Sequence, residues 1–499
     1  MTPPTPTPPT TPTPPIELRG TDEHLTGARV GLGDAVLARL AEVCETVVET
    51  DAVAEASRDW WPLALHWSLA GRVPRRAAAL VRPTTTDQVA DILRLCDEQH
   101  VPVTAAGGRS GVCGASVPVF GGVLLDLTGL AGVGAVDTES GLVEVAAGTF
   151  GPDLERELRE LHGMTVGHFP QSFDLATVGG WVACRGAGQY STRYGKIEQM
   201  VAGLEVVLAD GTIVRTGGAP AAATGPDLDQ VFIGSEGTLG VITRVWLRAH
   251  PLPAAERRAA YRFATFADGV EACRVVMRRG ATPAVLRLYD GPESARGHGG
   301  DGTTCTLLVL DEGDPAIVDA TMSIVHDACA TGERADDDLV EAWLRHRNDT
   351  SALQALTHKG YVVDTMEIAA PWSRLDAIFH STREAILAVP HARAATCHLS
   401  HSYLDGACLY FTFAATPPPD EVDGTYTQMW DAGQRAVLAA GGNLSHHHGI
   451  GVNRARFVAE ALGDGFAVLQ AIKLALDPNG ILNPGKLGLD TPFGAPSWP

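Results

Sequence analysis

The chain has 499 residues, of which 45% are hydrophobic and 19% charged, and it carries a formal net charge of −21. A chain of this length exceeds the size that one hydrophobic core usually serves, so we expect two or three domains that share a ligand-binding cleft. The acidic balance, with scattered Lys and Arg, excludes nucleic acid as the expected partner and leaves a small anionic substrate open.

Cysteine usage and hydropathy bear on the compartment. The nine cysteines form no Cys-x-x-Cys pair and stand mostly in apolar runs, which indicates buried free thiols rather than disulfides or a zinc site. No stretch is long and apolar enough to span a bilayer, and the N-terminus lacks the pattern of a signal peptide. We therefore expect a cytoplasmic protein.

The first 76 residues divide into a tail and a helical segment. Residues 1–16 are rich in Pro and Thr, a composition that predicts an extended, disordered tail. Residues 17–76 are predicted to be an N-terminal helical segment, from the apolar periodicity that follows Gly33. We interpret the pair Trp60 and Trp61 as core or interface packing, with contact to a ligand as the alternative.

Residues 77–252 alternate short strands and helices. Strands are predicted at 79–81, 101–104, 122–127 and 142–146, a capped helix follows residues 84–87, and a second helix covers 152–161. The turn Ala209-Asp210-Gly211 predicts a hairpin over 204–214.

The chain changes character at residues 250–253, a Pro-containing break. Helices predicted at 270–277, 316–328 and 339–347 then alternate with strands at 304–310 and 409–414. This pattern predicts an α+β cap, residues 253–444, over the preceding domain. The C-terminal segment, residues 445–499, contains three successive histidines and a predicted helix from Asn453, and we expect it to close the active site.

Four glycine-rich segments lie within residues 77–252, at 104–111, 171–181, 184–188 and 233–243. Backbone N–H groups reach a dinucleotide pyrophosphate only where glycine lets the main chain come close. One such segment alone is typical of a plain turn, whereas four in one domain indicate a dinucleotide site. A Gly-x-Gly-x-x-Gly fingerprint in a strand–helix context is lacking in the sequence, so an NAD-binding fold is not predicted.

These segments resemble the FAD-binding domain of PCMH-type (vanillyl-alcohol oxidase type) flavoproteins, most specifically at residues 232–243, Phe-Ile-Gly-Ser-Glu-Gly-Thr-Leu-Gly-Val-Ile-Thr. Within that family, residues 167–172, 177–181, 405–411 and 445–451 are most similar to the alkyldihydroxyacetonephosphate synthase (alkylglycerone-phosphate synthase) branch. The resemblance extends over residues 50–486. It implies an α+β fold: a two-lobed FAD-binding domain at 77–252, an α+β cap and a C-terminal helical segment.

The resemblance also implies FAD as cofactor. We predict that it is bound non-covalently, with Cys113 and His168 as the candidates if it is covalent. The predicted cofactor-binding residues are Thr104, Ala105, Ala106, Gly107, Gly108, Arg109, Ser110, Gln171, Ser172, Thr177, Gly179, Gly180, Cys184, Arg185, Gly186, Ala187, Glu236, Gly237, Thr238, Leu239, Gly240, Val241 and Ile242.

The predicted catalytic residues are a tyrosine and four histidines. The resemblance makes Tyr410 an acid/base group beside the flavin, a role that would need histidine neighbours to lower its pKa, although strand alternation alone is equally typical of a core tyrosine. It places His168 near the flavin ring. His446, His447 and His448 complete the set; in an extended segment at most two of them face one site, and a surface run is the alternative.

Arg287 is the predicted substrate-binding residue. It lies in the apolar strand-like stretch Leu286-Arg287-Leu288-Tyr289, where a buried guanidinium needs an anionic partner. The resemblance makes that partner a substrate phosphate or carboxylate, both of which suit a bidentate guanidinium.

A metal site is not predicted. Cys397, His398 and His401 offer ligands near the histidine run. Related 2-hydroxyacid dehydrogenases, however, hold a metal with histidines near Asp-Gly-Asn and with a Glu before His-Gly. Here Ala407 and His447 stand in the places of that Asn and that Glu.

Two departures from the synthase branch leave the reaction open. Gln171 stands where the synthase has Asp, and Asn483-Pro-Gly-Lys486 is more similar to the oxidising branch. The first hypothesis is a lipid-biosynthetic transferase that exchanges acyl for alkyl on a glycerone phosphate through a flavin adduct. The alternative is an FAD-dependent oxidoreductase that dehydrogenates a 2-hydroxyacid or another alcohol; a flavin-binding protein without turnover is a third. We also expect peripheral contact with lipid and, from base rates, a homodimer.

Overall fold

The computed structural model describes residues 16–349, 351–496 and 498. The predicted tail therefore lies outside the described residues except for Ile16, where the prediction was wrong. Ile16 is 1% exposed, and its carbonyl accepts a hydrogen bond of 2.8 Å from Nη1 of the buried Arg58.

All nine cysteines are free thiols. Within the described part of the chain, none of the helices has the length and apolar character needed to cross a membrane.

The N-terminal segment mixes helices with short strands, although it was predicted to be helical. Trp61 is fully buried and its Nε1 donates a hydrogen bond of 2.8 Å to the hydroxyl of Tyr426 in the cap, so the packing interpretation holds for this residue. The elements are β1 (Asp22–Glu23), α1 (Asp34–Val43), β2 (Glu45–Val47), α2 (Thr50–Ala56), α3 (Pro62–Leu69) and β3 (Arg72–Val73).

The first lobe is a four-stranded sheet, ordered β2-β4-β6-β5, in which β4, β5 and β6 are parallel. The elements that it adds are β4 (Ala79–Arg82), α4 (Thr86–Glu98), β5 (Val103–Ala106) and β6 (Val123–Asp126). Helix α4 begins after Thr85, whose hydroxyl accepts a hydrogen bond from the backbone N–H of Gln88, as expected for a threonine N-cap. Its predicted apolar face is buried: Val89, Ile92, Leu93 and Cys96.

The second lobe is an antiparallel sheet ordered β11-β10-β12-β8-β7. The predicted hairpin joins β10 and β11, and Gly211 in its turn has a φ of +81°, which glycine adopts without strain. The predicted helix at 152–161 is α-helical only to Glu157 and continues as a π-helical turn, Leu158–His162. The elements are β7 (Val133–Asp137), β8 (Leu142–Ala146), α5 (Gly151–Glu157), β9 (Met164–Thr165), α6 (Val178–Ala183), α7 (Ser191–Tyr194), α8 (Ile197–Met200), β10 (Val201–Val207), β11 (Ile213–Arg215), α9 (Asp229–Phe232), β12 (Val241–Arg248) and β13 (His250–Pro251).

The cap is a seven-stranded antiparallel sheet, ordered β17-β14-β16-β15-β19-β20-β18. Helices α10, α12, α15 and α16 bury their apolar faces against one side of it, forming the largest hydrophobic core of the protein. The elements are β14 (Ala255–Phe263), α10 (Phe266–Arg278), β15 (Val285–Tyr289), α11 (Gly291–Gly297), β16 (Cys305–Gly313), α12 (Pro315–Ala328), β17 (Glu333–Ala335), α13 (Asp338–His346), α14 (Ser351–His358), β18 (Val362–Pro371), α15 (Leu375–Leu387), β19 (Ala392–Ser402), β20 (Gly406–Ala415) and α16 (Val422–Ala439).

The C-terminal segment carries α17 (Val458–Leu462) and α18 (Gly465–Leu476). The helix predicted from Asn453 begins later: a 3-10 turn, Ala455–Phe457, precedes the α-helix that begins at Val458. The carbonyl of Cys113 in the first lobe takes hydrogen bonds from the backbone N–H groups of Val452 and Asn453, and these two bonds hold the chain against the glycine loop.

Candidate active site

A cavity of about 500 Å³ lies between the two lobes and the inner side of the cap sheet. Strand alternation explains which side chains point toward it. In β15, β18, β19 and β20, residues such as Leu288, Ile368 and Leu409 pack into the helix-covered core, so the residues between them lie on the opposite side. That opposite side carries Arg287, Thr365, Glu367, His398, Ser400, Tyr410 and Thr412.

Most of the predicted cofactor residues line this cavity. Those that do are Ala105, Ala106, Gly107, Gly108, Arg109, Ser110, Gln171, Ser172, Thr177, Gly179, Gly180, Cys184, Gly186, Ala187, Glu236, Gly237, Gly240, Val241 and Ile242. They come from both lobes, so the four segments that are separate in sequence converge on one space. The cavity is therefore where the residues present fit a bound dinucleotide.

Two glycines of the first segment are explained by packing between loops. A Cβ atom on Gly108 would lie 2.0 Å from the carbonyl oxygen of Leu175, and one on Gly107 would lie 2.2 Å from Oγ1 of Thr177. Both distances are far shorter than atoms tolerate. The loop at residues 104–111 and the loop at 171–181 can therefore pack this closely only if positions 107 and 108 are glycine. Close packing between the loops thus explains these glycines, in addition to access for a ligand.

Four predicted cofactor residues do not line the cavity. Nη2 of Arg185 donates a hydrogen bond of 2.8 Å to Gln230, and the hydroxyl of Thr238 bonds to the carbonyl of Ser235. Leu239 packs in the core of the second lobe, and Thr104 is buried within β5. Their sequence neighbours face the ligand space, while these side chains maintain the loops.

His168 lines the cavity and is completely buried. Neither of its ring nitrogens has a hydrogen-bond partner among the residues described. Burial lowers the pKa of this imidazole to about 3, so it is neutral. A buried imidazole without partners is costly in a packed protein, and a bound cofactor or substrate would supply the missing hydrogen bonds.

Tyr410 lies in the cavity wall with its ring stacked on His398, at 4.6 Å between centroids. Burial raises the pKa of its phenol above the usual 10, and the opposing effect of Arg287 is smaller. Histidine neighbours do not lower this pKa, because burial keeps the imidazole of His447 neutral. Tyr410 therefore holds its proton at neutral pH, and its hydroxyl can donate a hydrogen bond.

The histidine run is organised by the buried Glu367 on β18. Oε1 of Glu367 accepts hydrogen bonds from the hydroxyl of Ser445 and from the backbone N–H groups of His446, His447 and His448. Arg454 donates to both carboxylate oxygens, and Nδ1 of His448 lies 2.9 Å from Oε2. One carboxylate thus fixes the backbone of three successive histidines and contacts the imidazole of His448.

Two of the three histidines face the cavity, but they are neighbours in the chain, because the run bends here instead of being extended. His447 and His448 line it, whereas His446 does not and was misplaced by the prediction. Nε2 of His446 is instead 2.7 Å from the hydroxyl of Tyr403, and its Nδ1 is 2.8 Å from Nδ1 of His447. The interpretation of the run as a surface feature is wrong, since His446 is only 6% exposed.

Arg287 lines the cavity from β15. Its Nη2 is 2.6 Å from Nε2 of His398, and its guanidinium lies over the rings of Tyr289 and Trp343, 5.4 and 5.8 Å from their centroids. No carboxylate among the described residues forms an ion pair with it. The position is that of a cation available to an anionic ligand.

Three imidazoles have a geometry that suits a metal ion: the ligand nitrogens of His401, His446 and His447 lie within 4.8 Å of one another. Burial lowers the pKa of all three well below 6.5, which keeps them neutral. In the structure, however, the Nδ1 atoms of His446 and His447 bond to each other, and Nδ1 of His401 is 2.7 Å from the hydroxyl of Ser191. The prediction of no metal remains open to experiment.

Sequence reasoning missed several residues of the site. Asp364 lines the cavity, accepts hydrogen bonds from the hydroxyl of Tyr426 and from Nε1 of Trp430, and has its pKa raised to about 6 by burial. Glu367 and Glu293 are equally buried carboxylates. The available signal was a charged residue inside an apolar strand, as in Val-Val-Asp-Thr-Met-Glu-Ile at 362–368, since such a charge requires a partner.

Comparison with known proteins places the chain among FAD-linked enzymes. Residues 77–217 match the family described as FAD binding domain, and residues 252–487 match the family described as FAD linked oxidases, C-terminal domain. The chain belongs to the FAD-linked oxidase family and has the fold of PCMH-type flavoproteins. The predicted family, fold class and FAD cofactor are thereby confirmed.

Similarity to individual proteins extends over most of the chain. It is 34% identical to the uncharacterized FAD-linked oxidoreductase YgcU of Escherichia coli K12, over 82% of this chain and 88% of that protein. It is 28% identical to alkyldihydroxyacetonephosphate synthase of Dictyostelium discoideum, over 84% of this chain and 74% of that protein. It is also 28% identical to mitochondrial D-lactate dehydrogenase [cytochrome] 1 of Saccharomyces cerevisiae, over 83% of this chain and 73% of that protein. Substrate-bound p-cresol methylhydroxylase shares the fold, with a TM-score of 0.76 and 19% sequence identity; the match covers 94% of this chain and 99% of that chain.

Proposed function

We propose that the protein is an FAD-dependent enzyme of the alkyldihydroxyacetonephosphate synthase type, exchanging the acyl group of an acylated glycerone phosphate for an alkyl group. The observation that supports it is the convergence of Tyr410, His168, Arg287, His447 and His448 on the cavity that the glycine segments line. The similarity to a synthase of that name over 84% of the chain is consistent with this reaction.

FAD, when bound, would supply the electrophilic and redox-active ring of the reaction. The chain contributes binding and proton transfer. Arg287 would bind the phosphate, the protonated Tyr410 would donate a proton to a departing oxygen, and the neutral imidazole of His447, or its neighbour His448, would accept one. The residues of the cap and lobes that enclose the cavity would exclude water, which otherwise competes with the incoming alcohol.

A second candidate is an FAD-dependent oxidoreductase acting on a 2-hydroxyacid or another alcohol. Two observations favour it: the 34% identical relative is named an oxidoreductase, and a yeast D-lactate dehydrogenase is similar over 83% of the chain. In this reaction a neutral histidine would take the hydroxyl proton of the substrate while its hydride leaves for the flavin. Arg287 would bind the substrate carboxylate.

Anaerobic mixing of the holoenzyme separates the two reactions. With acyl dihydroxyacetone phosphate and a labelled fatty alcohol, a transferase forms labelled ether lipid and free fatty acid in equal amounts, without an oxidant. With a panel of 2-hydroxyacids, an oxidoreductase bleaches the oxidised flavin band and releases the keto acid. Bleaching without ether-lipid formation contradicts the transferase proposal, and the converse result contradicts the alternative.

We further propose non-covalent FAD, peripheral contact with lipid and a homodimer. The first is supported by the position of Cys113, which does not line the cavity. Contact with lipid is tested by cosedimentation with phosphatidylcholine vesicles, and the dimer by analytical ultracentrifugation. A protein that stays in the supernatant contradicts contact with lipid. A protein that sediments as a monomer at micromolar concentration contradicts the homodimer.

A further inference from the structure

Arg287 is held by a histidine, not by a carboxylate. Its Nη2 and Nε2 of His398 are 2.6 Å apart. A guanidinium has only N–H donors, so Nε2 of His398 must be the acceptor and carries no proton. The proton of the neutral ring is then on Nδ1.

The second nitrogen of His398 is fixed in turn. Nδ1 lies 2.9 Å from Oε2 of Glu293, a buried carboxylate at the beginning of α11. The other oxygen of Glu293 accepts a hydrogen bond of 2.8 Å from the hydroxyl of Thr396 on β19. Glu293 therefore selects the Nδ1–H tautomer, which is the one that presents an acceptor to Arg287.

In the hydrogen-bonded series Glu293–His398–Arg287, the imidazole of His398 separates the negative Glu293 from the positive Arg287. Burial and the nearby Arg287 lower the pKa of His398 to about 4, so the ring is neutral and cancels none of the positive charge of Arg287. Among the described residues, Arg287 has no ion-pair partner; its remaining neighbours are the aromatic rings of Tyr289 and Trp343. A carboxylate in the place of His398 would hold the guanidinium equally well but would neutralise it.

We propose that His398 is a positioning residue that holds Arg287 in the cavity wall as an unneutralised cation, and that this arrangement selects substrates with a carboxylate or phosphate group over neutral analogues. The inference rests on the proposed function, in which Arg287 binds the substrate anion. Either anion has oxygens that match two guanidinium N–H groups.

The test measures ligand binding to the FAD holoenzyme through the absorbance of its flavin. The probes are inorganic phosphate, D-lactate as a carboxylate, and glycerol as a neutral molecule. Wild type is expected to bind at least one anion more tightly than glycerol, and the anion that binds identifies the group. Equal affinity for all three probes overturns the inference.

Two substitutions of His398 give opposite results. His398→Glu, made in a Glu293→Gln background so that two carboxylates do not meet, pairs Arg287 with a single carboxylate and should weaken anion binding about tenfold to one hundredfold, with glycerol binding unchanged. His398→Gln offers a carbonyl acceptor near the position of Nε2 and should restore binding to within about threefold of wild type. A loss in the Gln variant as large as in the Glu variant contradicts the positioning role.

Glu293→Ala provides a second line of evidence without altering the cavity. It frees His398 to place its proton on Nε2, opposite the N–H groups of Arg287, and should weaken anion binding selectively. Glu271→Ala is the matched control: this exposed glutamate on α10 pairs with Arg274 and does not line the cavity. It should bind the anions like wild type. A loss of anion binding in this control as large as the loss in Glu293→Ala contradicts the positioning role of Glu293 and His398.

Arg287→Ala distinguishes failure of the inference from failure of the proposed function. If Arg287→Ala loses anion binding while His398→Glu and Glu293→Ala retain it within about twofold, the positioning role is wrong and the substrate role of Arg287 stands. If Arg287→Ala itself retains anion binding, the substrate role fails and the inference fails with it. FAD content equal to wild type verifies that each variant is folded.

Discussion

Arg454 and Glu367 form an ion pair in which neither side chain is exposed to solvent. The pair joins the cap sheet to the C-terminal segment, because Glu367 lies on β18 and Arg454 follows the histidine run. Burial opposes ionisation of Glu367, but Arg454 and His448 outweigh it and hold the pKa of the carboxyl well below its usual 4.5. The same carboxylate accepts hydrogen bonds from three backbone N–H groups of the run, so the charge pair and the histidine run form one unit.

Replacing Glu367 by Gln should destabilise the protein strongly. Arg454 would remain buried without a counter-charge, and removal of one partner from a buried pair costs about 3–5 kcal/mol. The measurement is the free energy of unfolding of the FAD-saturated protein in urea. The matched control is Glu460→Gln, which breaks the exposed pair with Arg435 and should change stability little. Equal effects of the two substitutions would show that the buried pair does not anchor the loop.

Stability should decrease when the pH falls below about 6.5. Burial depresses the pKa of His168 to about 3 and that of His398 to about 4, and it depresses those of His401, His446 and His447 still more clearly. The unfolded chain takes up protons below 6.5 and the native protein does not, so each imidazole lowers stability by about 1 kcal/mol at pH 5.5 relative to pH 7.5.

Buried carboxyls act in the opposite direction, but only three have a pKa of about 6 or 7. Burial raises the pKa of Asp59 to about 7 and those of Asp290 and Asp364 to about 6, so protonation of the native protein at these groups stabilises it as the pH falls. The five histidines outweigh them. Urea unfolding at pH 5.5 and 7.5 measures the difference, and Asp59→Asn should increase it. A protein that is equally stable at both pH values, or more stable at pH 5.5, would contradict the claim that these five histidines are neutral in the folded state.

Replacing Tyr410 by Phe should reduce turnover about one hundredfold or more while leaving FAD bound, since general acid catalysis typically contributes that much. Burial raises the pKa of the phenol, so wild-type kcat should show no titration of this group between about pH 6 and 9. Tyr261→Phe is the control, a buried cap tyrosine whose hydroxyl contacts His326 outside the cavity. Loss of FAD from Tyr410→Phe would indicate a structural role instead.

The sequence predicted several strands of the lobes, because their periodicity is local, but only two of the seven strands of the cap sheet. The buried face of α4 and the hairpin at Gly211 follow from caps, turns and apolar spacing within a few residues. The convergence of the glycine segments followed from resemblance, and their packing contacts explain it: Gly108 meets Leu175, which is far away in the chain.

The parts that were missed depend on contacts between distant elements. Nothing local to Asn453 shows that residues 451–454 form a turn beside Cys113, so the helix was predicted to begin too early. Spacing suggests the histidine neighbours of Tyr410 but not their charge, and burial makes His447 neutral, so it does not lower the pKa of the phenol. The position of His446 outside the cavity depends on Tyr403, a partner 43 residues away.

Purified protein should contain no stoichiometric metal, and dialysis against a chelator should leave turnover unchanged. Binding an ion at His401, His446 and His447 would break the hydrogen bond of 2.8 Å between the two Nδ1 atoms. Mass spectrometry of the digested protein measures metal content. One zinc or manganese ion per chain, lost in His401→Gln, would contradict this prediction and identify the three imidazoles as its ligands.

Acid precipitation should release the FAD into the supernatant. Cys113 is 1% exposed and does not line the cavity, and burial raises the pKa of its thiol well above 9, so the nucleophilic thiolate is not populated. Cys184 lines the cavity, but burial raises its pKa to about 12. His168 is the remaining candidate, because a neutral imidazole is nucleophilic. A coloured pellet from wild type and from Cys113→Ser, but not from His168→Ala, would show a covalent link to this histidine and overturn the prediction.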